Sequence, residues 1–221
     1  MRLRDTYNIP SEIVDSPHSK AFETFLWNWF GDPLAVSRHE LDLTFLNDLK
    51  PDELRLARQL IRRNLELKQI HIIEGASALR DTESVPMLQK MVGAESDESR
   101  KLTIAGALWK LSKDPLFVEL LNQAKSNPDG TLIRTHIQQI LWLDDDRAID
   151  LLIDLLDHPD WKVGTFALDL LNTLEHGLRF PNAASLPTKS NDYRRRRDEP
   201  TFRAQMVAAV RRRNAAATNG A

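Results

Sequence analysis

Apolar positions recur along most of this chain at the three- and four-residue spacing of helices, not at the two-residue alternation of strands. In residues 18–30, Phe22, Phe25, Leu26, Trp29 and Phe30 share one stripe, and Gly31-Asp32-Pro33 ends it. Trp27 and Trp29 lie two apart and cannot share a helix face, so one is expected to pack inward and the other to show partly. A second helix is expected over 38–49, with Leu41, Phe45 and Leu49 in register, Leu46 beside them and Ser37 as N-cap. No alternating β-branched run bounded by a hairpin turn is present.

Helix pairs follow: 52–64 with 68–80, 84–92 with 97–112, 115–126 with 131–143, and 147–157 with 161–175. They repeat one another. Val85, Phe117 and Ile149 fall 32 residues apart, as do Leu88, Leu120 and Leu152. In the second helices, Leu108-Trp109 returns as Leu141-Trp142, and Ile104 as Ile137, 33 residues later. Asp81, Asp114 and Asp146 mark the start of successive units. Two helices per unit at a period in the low thirties predict an α-solenoid. The reason is that one helix pair has no means of burying both of its apolar faces, so neighbours must stack. Gly75 and Gly106, 31 apart, sit inside second helices at a cost of about 1 kcal/mol each against alanine. Close helix packing is the expected reason for them.

Beyond Gly177 the pattern stops. Residues 178–198, with Pro181, Pro187 and the run Arg194 to Arg197, read as a basic loop or linker. Residues 199–221 read as a last helix, with Phe202, Met206, Val207 and Val210 in register, and a frayed end from Asn214. The predicted domains are an N-terminal helical cap over 1–50, the repeat array over 51–177, this linker, and the C-terminal helix with its tail.

The stretch 145–175 resembles a HEAT repeat of the phycobilisome-lyase type. That unit has a first helix like AIxxLIxLL, a D-P-D-W-x-V turn and a second helix like AAxAL. The corresponding residues are Ala148-Ile149, Leu152-Ile153 and Leu155-Leu156, then Pro159-Asp160-Trp161-Lys162-Val163, then Ala167-Leu168. Gly164 stands where the family usually carries arginine. The second pair (SVPMLQKMV and ESRKLTIAGALWKL) matches moderately, the first and third by pattern only, so the resemblance covers about residues 52–176. It implies an all-α fold: an α-solenoid, or α–α superhelix, of about four HEAT-like helix pairs, with first helices convex and second helices concave. Proteins of this family mostly bind other proteins, and the fold itself does not dictate function.

Charge adds a contrast that the repeats do not show. Residues 143–178 hold only Arg147 and Lys162 against nine acids, whereas residues 179–221 hold ten basic side chains against three acidic. Such asymmetry is a hint about partners or about docking within the chain. Asp146, Asp150, Asp154 and Asp157 form an acidic stripe opposite Ile149, Leu152, Ile153 and Leu156, while Asp144 to Asp146 suit a helix N-terminus. The stripe reads either as a solvated face or as a contact for a cationic partner. Arg55, Arg58 and Arg62 make a basic stripe with Arg63 adjacent. Together with the arginine-rich tail it allows a nucleic-acid reading, although the chain as a whole is slightly acidic, at a net charge of −2.

There is no cysteine, hence no disulfide, thiolate ligand or cysteine nucleophile. The six histidines have no metal-ligand spacing, and His71 with Glu74 lacks the second copy that a helical carboxylate site needs. The aspartates at 144–150 lack the glycine and terminal glutamate of an EF-hand loop. No G-x-S-x-G, P-loop or G-x-G-x-x-G occurs. A HEAT-like fold also occurs in alkylpurine DNA glycosylases, but no set of residues in this sequence is matched to their aromatic-lined cleft with its acidic and basic partners. No apolar run of about 18 residues and no apolar leader is present, so neither a membrane span nor a secretory signal is expected.

The reading is therefore a cytoplasmic, non-catalytic protein-binding module without cofactor or metal: an adaptor, scaffold or inhibitor of the immunity type. Its partner is expected to be another protein, with a basic surface in the most specific version. The expected contact residues are Lys101, Trp109, Arg134, Gln138, Trp142, Asp150, Asp154, Asp169 and Asn172. Trp109 and Trp142, at equivalent places, read either as core or, if exposed in the groove, as anchors. The alternatives are nucleic-acid binding through the arginine stripe and tail, or a lyase-like accessory role with a bound ligand.

Overall fold

A computed structural model describes residues 6–31, 43–143 and 145–174, with the isolated positions 199, 205 and 208. Every regular element among the described residues is helical. In chain order these are α1 (Ser11–Asp15), α2 (Lys20–Leu26), α3 (Pro51–Asn64), α4 (Ile70–Ala78), α5 (Val85–Ala94), α6 (Glu98–Ser112), α7 (Leu116–Ser126), α8 (Thr131–His136), α9 (Asp145–Leu155) and α10 (Trp161–Leu174). None is long and apolar enough to cross a membrane. The chain divides into two compact units, Met1–Phe117 and Val118–Ala221.

In the first unit, α3 lies on α4, α4 on α6, and α5 on α6. The second helix of the first pair thus packs on the second helix of the next. The aromatic stripe of α2 is buried: Phe22, Phe25, Leu26, Trp29 and Phe30 join Ala57, Leu60, Ile61, Ile72, Ile73 and Leu108 in one cluster. A π-helical turn, Trp27–Gly31, continues α2 and separates the two tryptophans. Trp29 is 3% exposed and Trp27 44%. Helix α1 has no counterpart in the sequence reading; its Ile13 is buried.

Gly75 confirms close packing. A Cβ there would lie 2.5 Å from the Trp29 indole nitrogen and 2.7 Å from Ile61 Cδ1. The indole N–H meanwhile donates to the His71 carbonyl at 3.1 Å, which fixes the ring against the α4 backbone. Gly75→Ala gains about 1 kcal/mol of helix propensity but overpacks a fixed ring at a cost of about 1–3 kcal/mol. A net loss of up to about 2 kcal/mol is expected in urea unfolding, and a gain in stability would show that the ring yields.

The segment before α1 folds back onto the first helix pair. The Tyr7 hydroxyl donates to Gln69 Oε1 at 2.6 Å, and His71 Nε2 lies 2.9 Å away on its acceptor side. The Asn8 amide donates to Asn64 Oδ1 at 2.7 Å, while Asn64 Nδ2 donates to the Leu60 carbonyl at 2.8 Å. Asn64 is fully buried, so both ends of its amide need these partners. Glu53 ties two helix starts together. Its carboxylate accepts from the Ser19 amide and hydroxyl, both at 2.8 Å, and from the Lys50 amide at 3.1 Å. Ser19 Oγ in turn accepts from Phe22 N, capping α2.

In the second unit α9 lies on α10, and α10 lies on α8 and the turn after it. The helix expected over 131–143 does not run through. It is α-helical to His136 and then 3₁₀ over Ile137–Trp142. The apolar spacing explains the change: Ile137, Ile140 and Leu143, all buried, are three apart, and a three-residue turn aligns them on one side. Of the helix expected over 38–49, the described part is the 3₁₀ turn Thr44–Asp48, and Ser37 and Leu41 lie outside the described residues. So do residues 178–198, expected as an arginine-rich loop, and most of 199–221, where a last helix is expected.

Candidate functional site

Helix α9 has two unlike faces. Ala148, Ile149, Leu151, Leu152, Ile153 and Leu155 are buried. Arg147, Asp150 and Asp154 are exposed, and Asp157 is exposed in the turn after the helix. Aspartates at i, i+4 and i+7 place three carboxylates along one solvent-facing edge. Asp146 of the predicted stripe lies within the helix, but its side chain is outside the described structure, as is Asp144.

The turn after α9 continues the edge. The Leu156, Asp157 and His158 amides donate back to Ile153, Asp154 and Leu155. Pro159 then prevents further helix, and Asp160 starts α10: its Oδ1 accepts from the Lys162 amide at 3.0 Å, and its carbonyl accepts from Val163 N at 3.0 Å. Its other oxygen pairs with Arg134 Nη1 at 2.8 Å. Gly130 is pressed against this corner, since a Cβ there would meet Val163 Cγ2 and lie 2.8 Å from Asp160 Cβ. Below the edge an open pocket of about 380 Å³ is lined by Lys125, Ser126, Ile153, Asp154, Asp157, His158 and Pro159. Lys125 Nζ pairs with Asp154 at 2.9 Å.

The expected contact residues fall in both units. Lys101 and Trp109 belong to the first, and Arg134, Gln138, Trp142, Asp150, Asp154, Asp169 and Asn172 to the second. Trp109 is an interior residue, 6% exposed, with its ring 6.4 Å from that of Phe117 and Lys113 Nζ 5.0 Å from its centre. Trp142 is half-buried, so equivalent sequence positions differ in exposure. Lys101 and Arg134 are half-buried, while Gln138, Asp150, Asp154 and Asp169 are exposed. The side chain of Asn172 lies outside the described structure. Lys125 and His158, which share the pocket with two of the aspartates, were not legible as site residues. Lys125 reaches across 29 positions to its partner, and only the H-P-D turn hinted at His158.

The basic stripe of α3 is engaged within the protein. Arg55 pairs with Asp52 at 3.2 Å, Arg58 donates to the Leu79 carbonyl at 2.9 Å, and Arg62 pairs with Asp81 at 3.1 Å and with Glu83. Arg63 is exposed. Among the described residues no group of three or more His, Asp or Glu is placed to hold a metal ion. Compared with known proteins, the chain matches no family model, no curated protein and no solved structure.

Proposed function

We propose that this chain is a non-catalytic protein-binding module, an α-solenoid of HEAT-like helix pairs that takes hold of a partner with a basic surface. The observation that carries the reading is the edge of α9, where Asp150, Asp154 and Asp157 are all exposed while the opposite face is buried. The surrounding stretch, residues 143–178, holds nine acids against two bases. A one-sign edge of this kind raises the encounter rate with cations and rejects acidic competitors. The pocket beneath it has room for a side chain, and Lys125 already shows a primary amine against Asp154. Nucleic acid is the weaker reading, because Arg58 and Arg62 are held by acceptors of the next helix and turn, which leaves Arg55 with only an exposed partner and Arg63 as the outward members of the stripe.

The test is charge reversal. A partner recovered on the wild-type chain from native lysate is expected to bind Asp150→Lys/Asp154→Lys at least about tenfold more weakly, mainly through slower association. The wild-type affinity should fall as salt is raised, since exposed charges are screened within about 10 Å at 0.1 M. Equal binding by wild type and double variant would remove the edge from the contact.

A further inference from the structure

We propose that His158 is a proton-operated latch on the turn that starts α10. The ring is 8% exposed and sits between two backbone groups. The Asp160 amide points at Nδ1 at 3.0 Å, and the Asn127 carbonyl lies 3.0 Å from Nε2. A backbone N–H only donates and a carbonyl only accepts. The two contacts together therefore require a bare Nδ1 and a protonated Nε2: the neutral ring in a single tautomer. A proton arriving from solvent at Nδ1 would set two N–H groups against each other, so the Asp160 contact must break.

Breaking it loosens a built corner. Asp160 starts α10, pairs with Arg134 and lies against Gly130. The charged groups of the surrounding elements that lie nearest this corner along the chain are Lys125 and Asp129 on the α7 side, Arg134 on α8, Asp154 and Asp157 on the α9 side, and Asp160 and Lys162 at the start of α10; Glu119, His136, Arg147, Asp150 and Asp169 lie further along the same elements. Of these, Lys125, Asp154 and Asp157 share the pocket wall with His158. That pocket gives the charged ring a place to turn towards, with two carboxylates on its wall. The latch is therefore closed when the ring is neutral and open when it is charged. This holds whether or not the acidic edge binds a partner.

The experiment is ¹⁵N NMR with amide exchange on the full chain, followed over a descending pH series in which the ¹⁵N shifts of the ring itself report its charge. At the upper end His158 should carry its proton on Nε2. As the ring gains its second proton, the protection of the Asp160 amide should fall about tenfold, the equilibrium worth of one hydrogen bond. In His158→Asn, whose side-chain oxygen accepts from the amide two residues on in an Asx turn, that protection should stay level. The Leu168 amide, deep in α10, should stay protected throughout. Four results would overturn the latch: a proton on Nδ1 at the upper pH, constant Asp160 protection while the ring titrates, a His158→Asn profile that follows wild type, or parallel loss at Leu168.

Discussion

Arg62→Ala is expected to cost about 3 kcal/mol of unfolding free energy, because it takes the cation from a buried carboxylate. Asp81 is only 2% exposed, and its carboxylate is held by Arg62 Nε at 3.1 Å and by the Ser84 hydroxyl at 2.6 Å. Without the guanidinium, one hydroxyl is left to stabilise a buried negative charge. Most of the cost is thus the stranded carboxylate, so removing it as well should help. Arg62→Ala/Asp81→Ala is expected to recover a large part of the loss, measured by urea unfolding of the four members of a double-mutant cycle. A single-variant loss below about 1 kcal/mol would place the pair in the class of solvent-screened surface contacts.

The second large effect is at Glu53. Glu53→Gln is expected to lose about 2–3 kcal/mol, because an amide group would point its own N–H donors at some of the three donors now shared by the carboxylate. Burial pushes this carboxyl up, but the Ser19 amide and hydroxyl and the Lys50 amide outweigh it and hold the group below its ordinary value of 4.5. A carboxyl that ionises more readily folded than unfolded adds stability above its unfolded value and loses it on acidification. Wild type should therefore lose this contribution as the pH falls from 4.5 through the lower folded value, and Glu53→Gln should lack that part of the acid dependence. Unfolding curves of the two proteins that stay parallel down to pH of about 3 would contradict it.

Much of the fold was legible because it depends on local periodicity. The Phe22 to Phe30 stripe, the reach of α6 and the opposed faces of α9 follow from which residues are apolar at 3.6-residue spacing. Gly75 was legible because a costly residue inside a helix needs a packing reason. What the sequence withheld depends on distant partners. Arg58 and Arg62 read as a surface stripe, yet their acceptors lie about 20 residues on, at the end of α4 and in the next turn. The change to 3₁₀ after His136 is visible only once Ile137, Ile140 and Leu143 are known to share a wall. Trp109 and Trp142 occupy the same place in the repeat, but neighbours outside the motif decide how far each is covered.

The docking of residues 7–8 onto α3 and α4 bears on folding speed. Repeat arrays assemble fast because each contact closes a short loop, and longer closures slow the search. The side-chain links described in the second unit span about thirty residues, 29 from Lys125 to Asp154 and 31 from Asn127 to His158. In the first unit, Tyr7 must find Gln69 across 62 positions and Asn8 must find Asn64 across 56. Among the described side-chain links these wait longest for their ends to meet, and a nascent chain holds all the residues for them well before the second unit has been made.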